Sequence, residues 1–292
     1  MVLEEIVKCA RDCIGLVSSY SDPNVNENYD ERIAELCRFY NINFMPWTKL
    51  KNTIKEEIAS RDINGIVAIG WQYLVSRAVF GNLPHRLIVF HDSLLPRYRG
   101  FAPVVTGMIK GETEFGVSVL YAADNIDDGD IIHQARVDIG SEVYINEAID
   151  QIGQLYRAAA AELCASLRGG AIAAYPQDHS KATYSIWRNA EDCAIDWSKP
   201  AIEIYNLIRA VSHPYPGAFS ILGGKLVRIW RCRTVEDDIQ FEIRDPGKVW
   251  RVESGKPVVV CGCGLLQITD MTDDDGQSLL PLTRLRVRFR SS

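Results

Sequence analysis

A histidine at the end of an apolar segment is the first residue of this chain that is placed to do chemistry. Residues 87–90 are Leu-Ile-Val-Phe, a run typical of a buried strand, and His91 follows directly. Ligands of open α/β sheets bind beyond the carboxyl ends of the strands, where an imidazole can transfer protons. A lone histidine on a loop is more often a satisfied structural residue, so its neighbours must decide.

The loop after His91 carries two arginines. Pro96 and Gly100 predict a turn of the chain, and Arg97 and Arg99 lie between them. A guanidinium group can bind a phosphate or carboxylate through two parallel hydrogen bonds. Most arginines are solvent-exposed surface residues, which is the alternative for both.

An acidic turn follows the next predicted strand. Residues 124–130 are Asp-Asn-Ile-Asp-Asp-Gly-Asp and lie between the apolar segments 116–121 and 131–137. Four carboxylates so close together repel one another unless a cation is near. Taken alone, the turn is most simply a solvated loop.

Together these segments carry a pattern that resembles the folate-dependent formyltransferases. The pattern reads His-x-Ser-Leu-Leu-Pro-x-Tyr-Arg-Gly over residues 91–100, a Gly-Val strand at 116–117, and Asp-x-Gly-Asp-Ile over 127–131. That family includes methionyl-tRNA formyltransferase, glycinamide ribonucleotide formyltransferase and the nucleotide-sugar N-formyltransferases. The resemblance extends over the chain after its first predicted helix.

The resemblance implies a role for each matching residue. Formyl transfer requires stabilisation of a tetrahedral oxyanion and passage of a proton, and the implied catalytic residues are His91 and Asp127, whose carboxylate can orient the imidazole. N10-formyltetrahydrofolate is the implied formyl donor, and no metal is implied. The residues implied to bind the donor are Trp71, Tyr73, Leu74, Val75, Leu94, Ile126 and Asp127. The residues implied to bind the substrate are Ser93, Arg97, Tyr98 and Arg99.

One position departs from the family pattern. The family has an asparagine two residues before the histidine as a donor to the oxyanion, and this chain has Val89 there. Loss of such a donor typically costs about 10²–10³ in rate, so either another group substitutes or the site is slow or inactive. Asp92 and Ser93 are the nearby polar candidates.

The order of strand and helix patterns predicts the fold. Alternation over residues 1–197 predicts an α/β catalytic domain with a Rossmann-like, mostly parallel sheet. Short strand patterns in residues 198–292 predict a small barrel or sandwich. The resemblance implies that this C-terminal domain is a β-barrel of the OB-like type. The family begins with an apolar strand and a glycine turn, whereas this chain begins on a helical pattern. We therefore expect that the first strand is absent or that the gene starts further upstream.

The carboxyl-terminal residues alternate between arginine and apolar side chains. Such alternation places the arginines on one face of a strand. We predict a solvated edge strand rather than a tRNA-binding surface, because edge strands often carry charge. The arginines are Arg284, Arg286, Arg288 and Arg290.

Composition limits the class of protein. The chain has 292 residues, 47% of them hydrophobic, which suffices for a packed core. No apolar run reaches membrane-spanning length, and the first residues lack the pattern of a secretory signal. The eight cysteines have no convincing zinc-binding spacing, which indicates reduced thiols in a cytoplasmic protein.

The charge of the chain bears on the substrate. A net charge of −6 disfavours tRNA, whose binding depends on many phosphate contacts. The leading hypothesis is an N-formyltransferase that acts on the amine of a nucleotide-linked amino sugar. The alternatives are a methionyl-tRNA formyltransferase and a non-catalytic relative that binds folate or a sugar nucleotide. The sugar, the nucleotide and the formation of a homo-oligomer stay open.

Overall fold

A mixed four-stranded sheet and an antiparallel six-stranded sheet organise the computed structural model, which describes residues 2–20, 29–71, 75–170, 172–236 and 239–291. The chain divides into two units. Unit 1 comprises residues 1–103, 114–138 and 150–186, and unit 2 comprises residues 104–113, 139–149 and 187–292. The predicted domain boundary after residue 197 stays a prediction.

The described part of the chain forms both helices and strands. The helices are α1 (Val2–Ala10), α2 (Tyr29–Phe39), α3 (Trp47–Ser60), α4 (Arg77–Phe80), α5 (Pro103–Lys110), α6 (Ile145–Arg168) and α7 (Ala201–Val211). The strands of unit 1 are β1 (Ile66–Ile69), β2 (Leu87–His91), β3 (Arg99–Gly100), β4 (Glu114–Tyr121), β5 (Ile131–Asp138) and β6 (Tyr184–Ser185). Those of unit 2 are β7 (Ala218–Leu222), β8 (Lys225–Val235), β9 (Val249–Glu253), β10 (Lys256–Val260), β11 (Leu265–Asp273) and β12 (Phe289–Arg290).

The main sheet of unit 1 has the strand order β1-β2-β4-β5. Strands β1 and β2 are parallel, whereas β2 with β4 and β4 with β5 are antiparallel. The predicted α/β class is confirmed, but the sheet is mixed instead of mostly parallel. Only residues 122–130 connect β4 to β5, and a parallel pair needs a crossover of roughly a dozen residues or more.

Two short segments near the amino terminus pair with each other. Val17 forms a parallel bridge with Phe44, and the amide of Met45 donates to the carbonyl of Val17 over 3.0 Å. This pairing is parallel, as are those of β1 with β2 and of β3 with β6 in the same unit.

Strand β2 carries the site histidine and is buried along most of its length. Because side chains alternate along a strand, Val89 and His91 face one side and Phe90 the other. The ring of Phe90 stacks on Tyr156 of α6, with 5.6 Å between the ring centres. This packing fixes the face on which the imidazole emerges.

The six-stranded sheet of unit 2 is antiparallel, in the order β12-β7-β8-β11-β10-β9. A bridge between Lys248 and Arg288 links its two edges, and the amide of Phe289 donates to the carbonyl of Gly247 over 2.8 Å. The predicted β-rich C-terminal region is confirmed. The prediction of an edge strand around Arg288 is wrong, because this segment pairs on both sides.

Two further features concern membrane-spanning helices and the state of the cysteines. No helix in the described part of the chain is long and apolar enough to cross a membrane. The eight cysteines are all free thiols.

Candidate functional site

The imidazole of His91 lies between two oxygen atoms. It is the last residue of β2 and only 7% exposed. Its Nε2 atom lies 2.8 Å from the carbonyl oxygen of Tyr98, and its Nδ1 atom lies 3.5 Å from Oδ2 of Asp127. The structure therefore brings together the two residues that the sequence pattern singled out for catalysis.

This arrangement determines what the ring can do with a proton. A carbonyl and a carboxylate accept hydrogen bonds and do not donate them. Each ring nitrogen can therefore form a hydrogen bond to its oxygen only when that nitrogen carries a proton. A neutral imidazole has one N–H and satisfies one of the two oxygens at a time. The ring can therefore take up and release a proton while the carboxylate holds its orientation.

The two residues that contact His91 have unusual backbone conformations. Tyr98 has φ of 57° and Asp127 has φ of 50°, in the left-handed region that side chains other than glycine adopt rarely. Such conformations cost about 1–3 kcal/mol and persist only where the surroundings impose them. Strain at both contacts of one imidazole is typical of a functional site.

A glycine connects the loop after His91 to the acidic turn. The amide of Gly100 donates to Oδ2 of Asp127 over 2.8 Å, the same oxygen that faces His91. Gly100 has φ of 100°, and a Cβ atom there would lie 2.4 Å from the carbonyl oxygen of Ser185. The glycine of the Tyr-Arg-Gly sequence is therefore required by the close pairing of β3 with β6.

A buried polar network holds the segment that follows His91. Ser118, opposite His91 in the sheet, donates through its hydroxyl to the carbonyl of Ser93 and accepts from the amide of Leu95, over 2.6 and 3.1 Å. Gln134 donates to the carbonyl of Leu95 over 2.9 Å. Ser118 and Gln134 are not part of the sequence pattern, although Ser118 is a polar residue inside a largely apolar strand and was a usable signal.

Three of the residues predicted to bind substrate lie in this loop. The hydroxyl of Ser93 is enclosed and donates to the carbonyl of Arg97 over 2.6 Å, so it closes the loop. Arg97 is exposed, and its guanidinium lies 5.2 Å from the ring centre of Tyr98. Tyr98 reaches the site through its carbonyl oxygen.

The fourth predicted substrate residue, Arg99, is buried. It is 2% exposed and donates to Oε1 of Gln177 through both Nε and Nη2, over 3.2 and 2.7 Å. Nη2 also lies 3.1 Å from Nδ1 of His179, and Nη1 donates weakly to the hydroxyl of Tyr184 over 3.4 Å. Its guanidinium is therefore engaged inside unit 1, and a role in binding substrate stays a prediction.

The segment predicted to bind the folate donor lies only partly within the described residues. Tyr73 and Leu74 lie outside the described residues. The Trp71 ring makes edge contacts with Tyr20 and Trp47, at centre distances of 5.1 and 4.6 Å. Trp71 and Val75 also pack against an apolar cluster formed by Ala68, Phe80 and Leu87.

The acidic turn lies beside this segment. Asp124, in the turn, pairs with Arg77 at the start of α4, two residues after Val75. Ile126, in the same turn, is 44% exposed. Leu94 lies against β4, because a Cβ atom at Gly116 would lie 2.4 Å from its Cδ2 atom. Arg77 thus links the segment around Val75 to the acidic turn, and the binding of the donor there stays a prediction.

Known proteins that are similar to this chain identify its family. A family model described as "Formyl transferase" matches residues 11–162, and one described as "Formyl transferase, C-terminal domain" matches residues 188–282. A methionyl-tRNA formyltransferase of Alkaliphilus oremlandii is 30% identical over 272 residues, which are 92% of this chain and 86% of the relative. The chain belongs to the formyl transferase family.

Two solved structures share the fold of this formyltransferase. An N-formyltransferase from Helicobacter canadensis, in complex with folinic acid and dTDP-3-aminofucose, matches with a TM-score of 0.69 and 16% identity over 91% of this chain and 93% of that one. HypX from Aquifex aeolicus, in complex with tetrahydrofolic acid, matches with a TM-score of 0.62 and 16% identity over 91% of this chain. The chain spans about half the length of HypX, 45%.

The position of the family asparagine is apolar in this formyltransferase. Val89 is half-buried and packs against a cluster of Leu95, Leu120 and Ile131. Of the two polar candidates nearby, Ser93 is bonded within its loop, and Asp92 accepts a hydrogen bond from the hydroxyl of Tyr156. Neither side chain therefore replaces the missing oxyanion donor in the arrangement that the structure shows.

Asp92 is a second acidic group close to His91, beside Asp127. Although part of the residue reaches solvent, burial of its carboxyl group raises the pKa of Asp92. The neighbouring His91 opposes this shift, and the Asp127 carboxylate reinforces it. Burial is the largest of these causes, because it penalises the charged form.

The raised pKa of Asp92 predicts a pH-dependent effect of Asp92→Asn on stability. The folded state binds the Asp92 proton more tightly than the unfolded state, where the pKa is about 3.9. Asp92 therefore costs stability as the pH rises from about 4 through its folded-state pKa. Asparagine accepts the same hydrogen bond without a charge, so we expect a higher Tm than wild type at pH 7 and equal values below about pH 4.

Asp178→Asn is the control of opposite sign. Hydrogen bonds from Ser180 lower the pKa of Asp178. Loss of the Asp178 carboxylate should therefore lower Tm at pH 7 and have no effect in acid. An Asp92→Asn protein that is less stable than wild type at pH 7 would contradict the assignment.

The described residues contain no group of three or more His, Cys, Asp or Glu side chains that could hold a metal ion.

Proposed function

We propose that this formyltransferase moves a formyl group from N10-formyltetrahydrofolate to the primary amine of a nucleotide-linked amino sugar. The observation that carries the proposal is the position of His91, at the end of β2 with Nδ1 3.5 Å from Oδ2 of Asp127. The donor segment around Trp71 and Val75 adjoins the acidic turn that supplies Asp127.

The proposed reaction is a transfer between two nitrogens. The neutral amine attacks the formyl carbon, and a tetrahedral oxyanion forms. The bond from that carbon to N10 then breaks, and the proton lost by the amine passes to N10. His91 carries this proton and donates to the oxyanion, while Asp127 orients the ring and stabilises its charged form. Before it acts, Nε2 of His91 must exchange the carbonyl of Tyr98 for the substrate.

The folate donor has support from the family and from structural relatives. The matched family consists of formyl transferases, and two structures with the same fold hold folinic acid or tetrahydrofolic acid. In this chain the donor would lie between Trp71, Val75, Leu94 and the turn at Ile126. Strand-end backbone groups there can pair with the pterin edge.

The amino sugar has support from charge and from a full-length structural relative. The chain carries 38 acidic and 32 basic residues, and the Helicobacter canadensis enzyme that matches 91% of it holds dTDP-3-aminofucose. The second candidate is methionyl-tRNA. Its support is the 30% identity with a methionyl-tRNA formyltransferase over 92% of the chain.

A direct assay separates the two substrates. Purified protein is incubated with N10-formyltetrahydrofolate and either a panel of nucleotide-linked amino sugars or methionyl-tRNA, with the His91→Asn protein as the blank. We expect at least one amino sugar to be formylated with a higher kcat/KM than methionyl-tRNA. The assay is run at low and at physiological salt, because tRNA binding weakens steeply with salt. Faster turnover of methionyl-tRNA than of every sugar would reverse the choice.

A cytoplasmic location has support from the chemistry of the cysteines. Eight free thiols favour a reducing environment, so we place the reaction in the cytoplasm. The formation of a homo-oligomer stays a prediction.

A further inference from the structure

The side chain of Gln177 is the most completely hydrogen-bonded polar group near the site. It is 6% exposed, and its carbonyl oxygen accepts from Nε and Nη2 of Arg99. Its amide nitrogen donates to the carbonyl oxygens of Asp127 and Gly129, over 2.8 and 2.7 Å. All four hydrogen-bonding positions of the amide are therefore used, which also fixes its orientation.

These bonds close a ring of contacts around the carboxylate of Asp127. Gly100 donates its amide to Oδ2 of Asp127, and the preceding residue, Arg99, donates its guanidinium to Gln177. Gln177 returns to the turn by donating to the carbonyl of Asp127. The loop after His91 and the acidic turn are thus tied together at two points, one of them through Gln177.

The acidic turn needs such a tie. Asp127 has φ of 50°, and the turn is so tight that a Cβ atom at Gly129 would lie 1.9 Å from the carbonyl oxygen of Tyr121. A strained conformation persists only when its surroundings impose it. The two carbonyls that Gln177 holds belong to the strained residue and to this glycine.

We propose that Gln177 is a positioning residue for formyl transfer: it locks the Asp127 turn to the loop of Arg99 and so keeps the Asp127 carboxylate at Nδ1 of His91. The inference rests on the proposed function, because it concerns the same histidine and carboxylate. Gln177 touches neither of these side chains and acts through the backbone of the turn.

Only a neutral amide of this length can fill the position. It must accept from a guanidinium and donate to two carbonyls at once. Glutamate keeps the length and the contact with Arg99 but has no donor for the turn. Asparagine keeps the amide but is one methylene shorter, so it cannot span Arg99 and both carbonyls.

The test compares Gln177→Asn with Lys181→Ala. Lys181 lies in the same segment, is exposed, and pairs with Asp178. Its replacement therefore changes this segment but leaves the contacts with the acidic turn in place. We expect Gln177→Asn to lower kcat roughly 10- to 100-fold, since displacement of a catalytic group by about 1 Å can cost on the order of 10². We expect KM for the folate donor to change less than kcat, and Lys181→Ala to match wild type.

A spectroscopic readout separates positioning from a general loss of structure. The nitrogen-15 shifts of the His91 ring report which nitrogen carries a proton at a given pH. In Gln177→Asn we expect the Nδ1 shift to move, because its carboxylate partner is displaced, and in Lys181→Ala we expect no change. Unchanged shifts together with kcat within about twofold of wild type would overturn the proposal.

The two proposals can fail separately. If wild-type protein formylates no acceptor, the proposed function fails, and the His91 shifts in Gln177→Asn still decide the positioning role. If Gln177→Asn does not fold, Gln177→Glu is measured in the same way, with the same expected loss of kcat. Misfolding of both variants would overturn the proposal, because it would show that Gln177 is required for folding and not specifically for the position of Asp127.

Discussion

Replacement of His91 by asparagine is expected to lower kcat/KM for formyl transfer roughly 10²- to 10⁴-fold, the contribution typical of general acid–base catalysis. Asparagine can place an N–H group near the position of Nδ1 and so keep a contact with Asp127. It cannot take up and release a proton at neutral pH, so proton passage from the amine to N10 is lost. The result is measured by steady-state kinetics with the best acceptor of the substrate panel.

The matched control is His85→Asn. His85 lies before the amino end of β2, at the opposite end of the strand from His91. The His85→Asn protein should keep kcat/KM within about twofold of wild type, because the half-buried His85 lies away from the reacting groups. A His91→Asn protein that keeps kcat/KM within tenfold of wild type would remove His91 from the reaction.

Replacement of Val89 by asparagine is expected to raise kcat, by roughly 10² if the new amide reaches the oxyanion. Val89 lies two residues before His91 and on the same face of β2. The cost is that an amide enters the apolar cluster of Leu95, Leu120 and Ile131, which destabilises the fold by roughly 1–3 kcal/mol if the amide finds no partner. An oxyanion donor contributes roughly 2.7–4 kcal/mol to the transition state, so the gain in rate is the larger effect.

Val67→Asn is the control for this substitution. Val67 is on β1 of the same sheet and is 39% exposed, so the change introduces an amide into the sheet away from His91. It should leave kcat unchanged. A folded Val89→Asn protein with wild-type kcat would show that another group already donates to the oxyanion. No turnover by wild type or Val89→Asn, with folate still bound, would instead support a non-catalytic relative.

The sequence was enough to find the site because its pattern is local. A buried strand followed by His91, and a loop ending at Gly100, depend on neighbours along the chain. The acidic turn is similar, because Gly129 is required where the turn meets the carbonyl of Tyr121. Local patterns therefore predicted the α/β class and the β-rich C-terminal region, and the resemblance to the formyltransferases implied the pairing of His91 with Asp127.

The tertiary structure alone decided how the site is held. Arg99 looks like a free anion-binding residue in sequence, yet it is buried against Gln177, which lies 78 positions away. Asp92 looks like a substitute donor, yet it meets Tyr156, 64 positions away. Strand direction was also decided at this level, since β2 pairs with β4 in the opposite sense. Contacts between residues so far apart depend on how the elements pack, and the spacing of residue types along a chain does not record that packing.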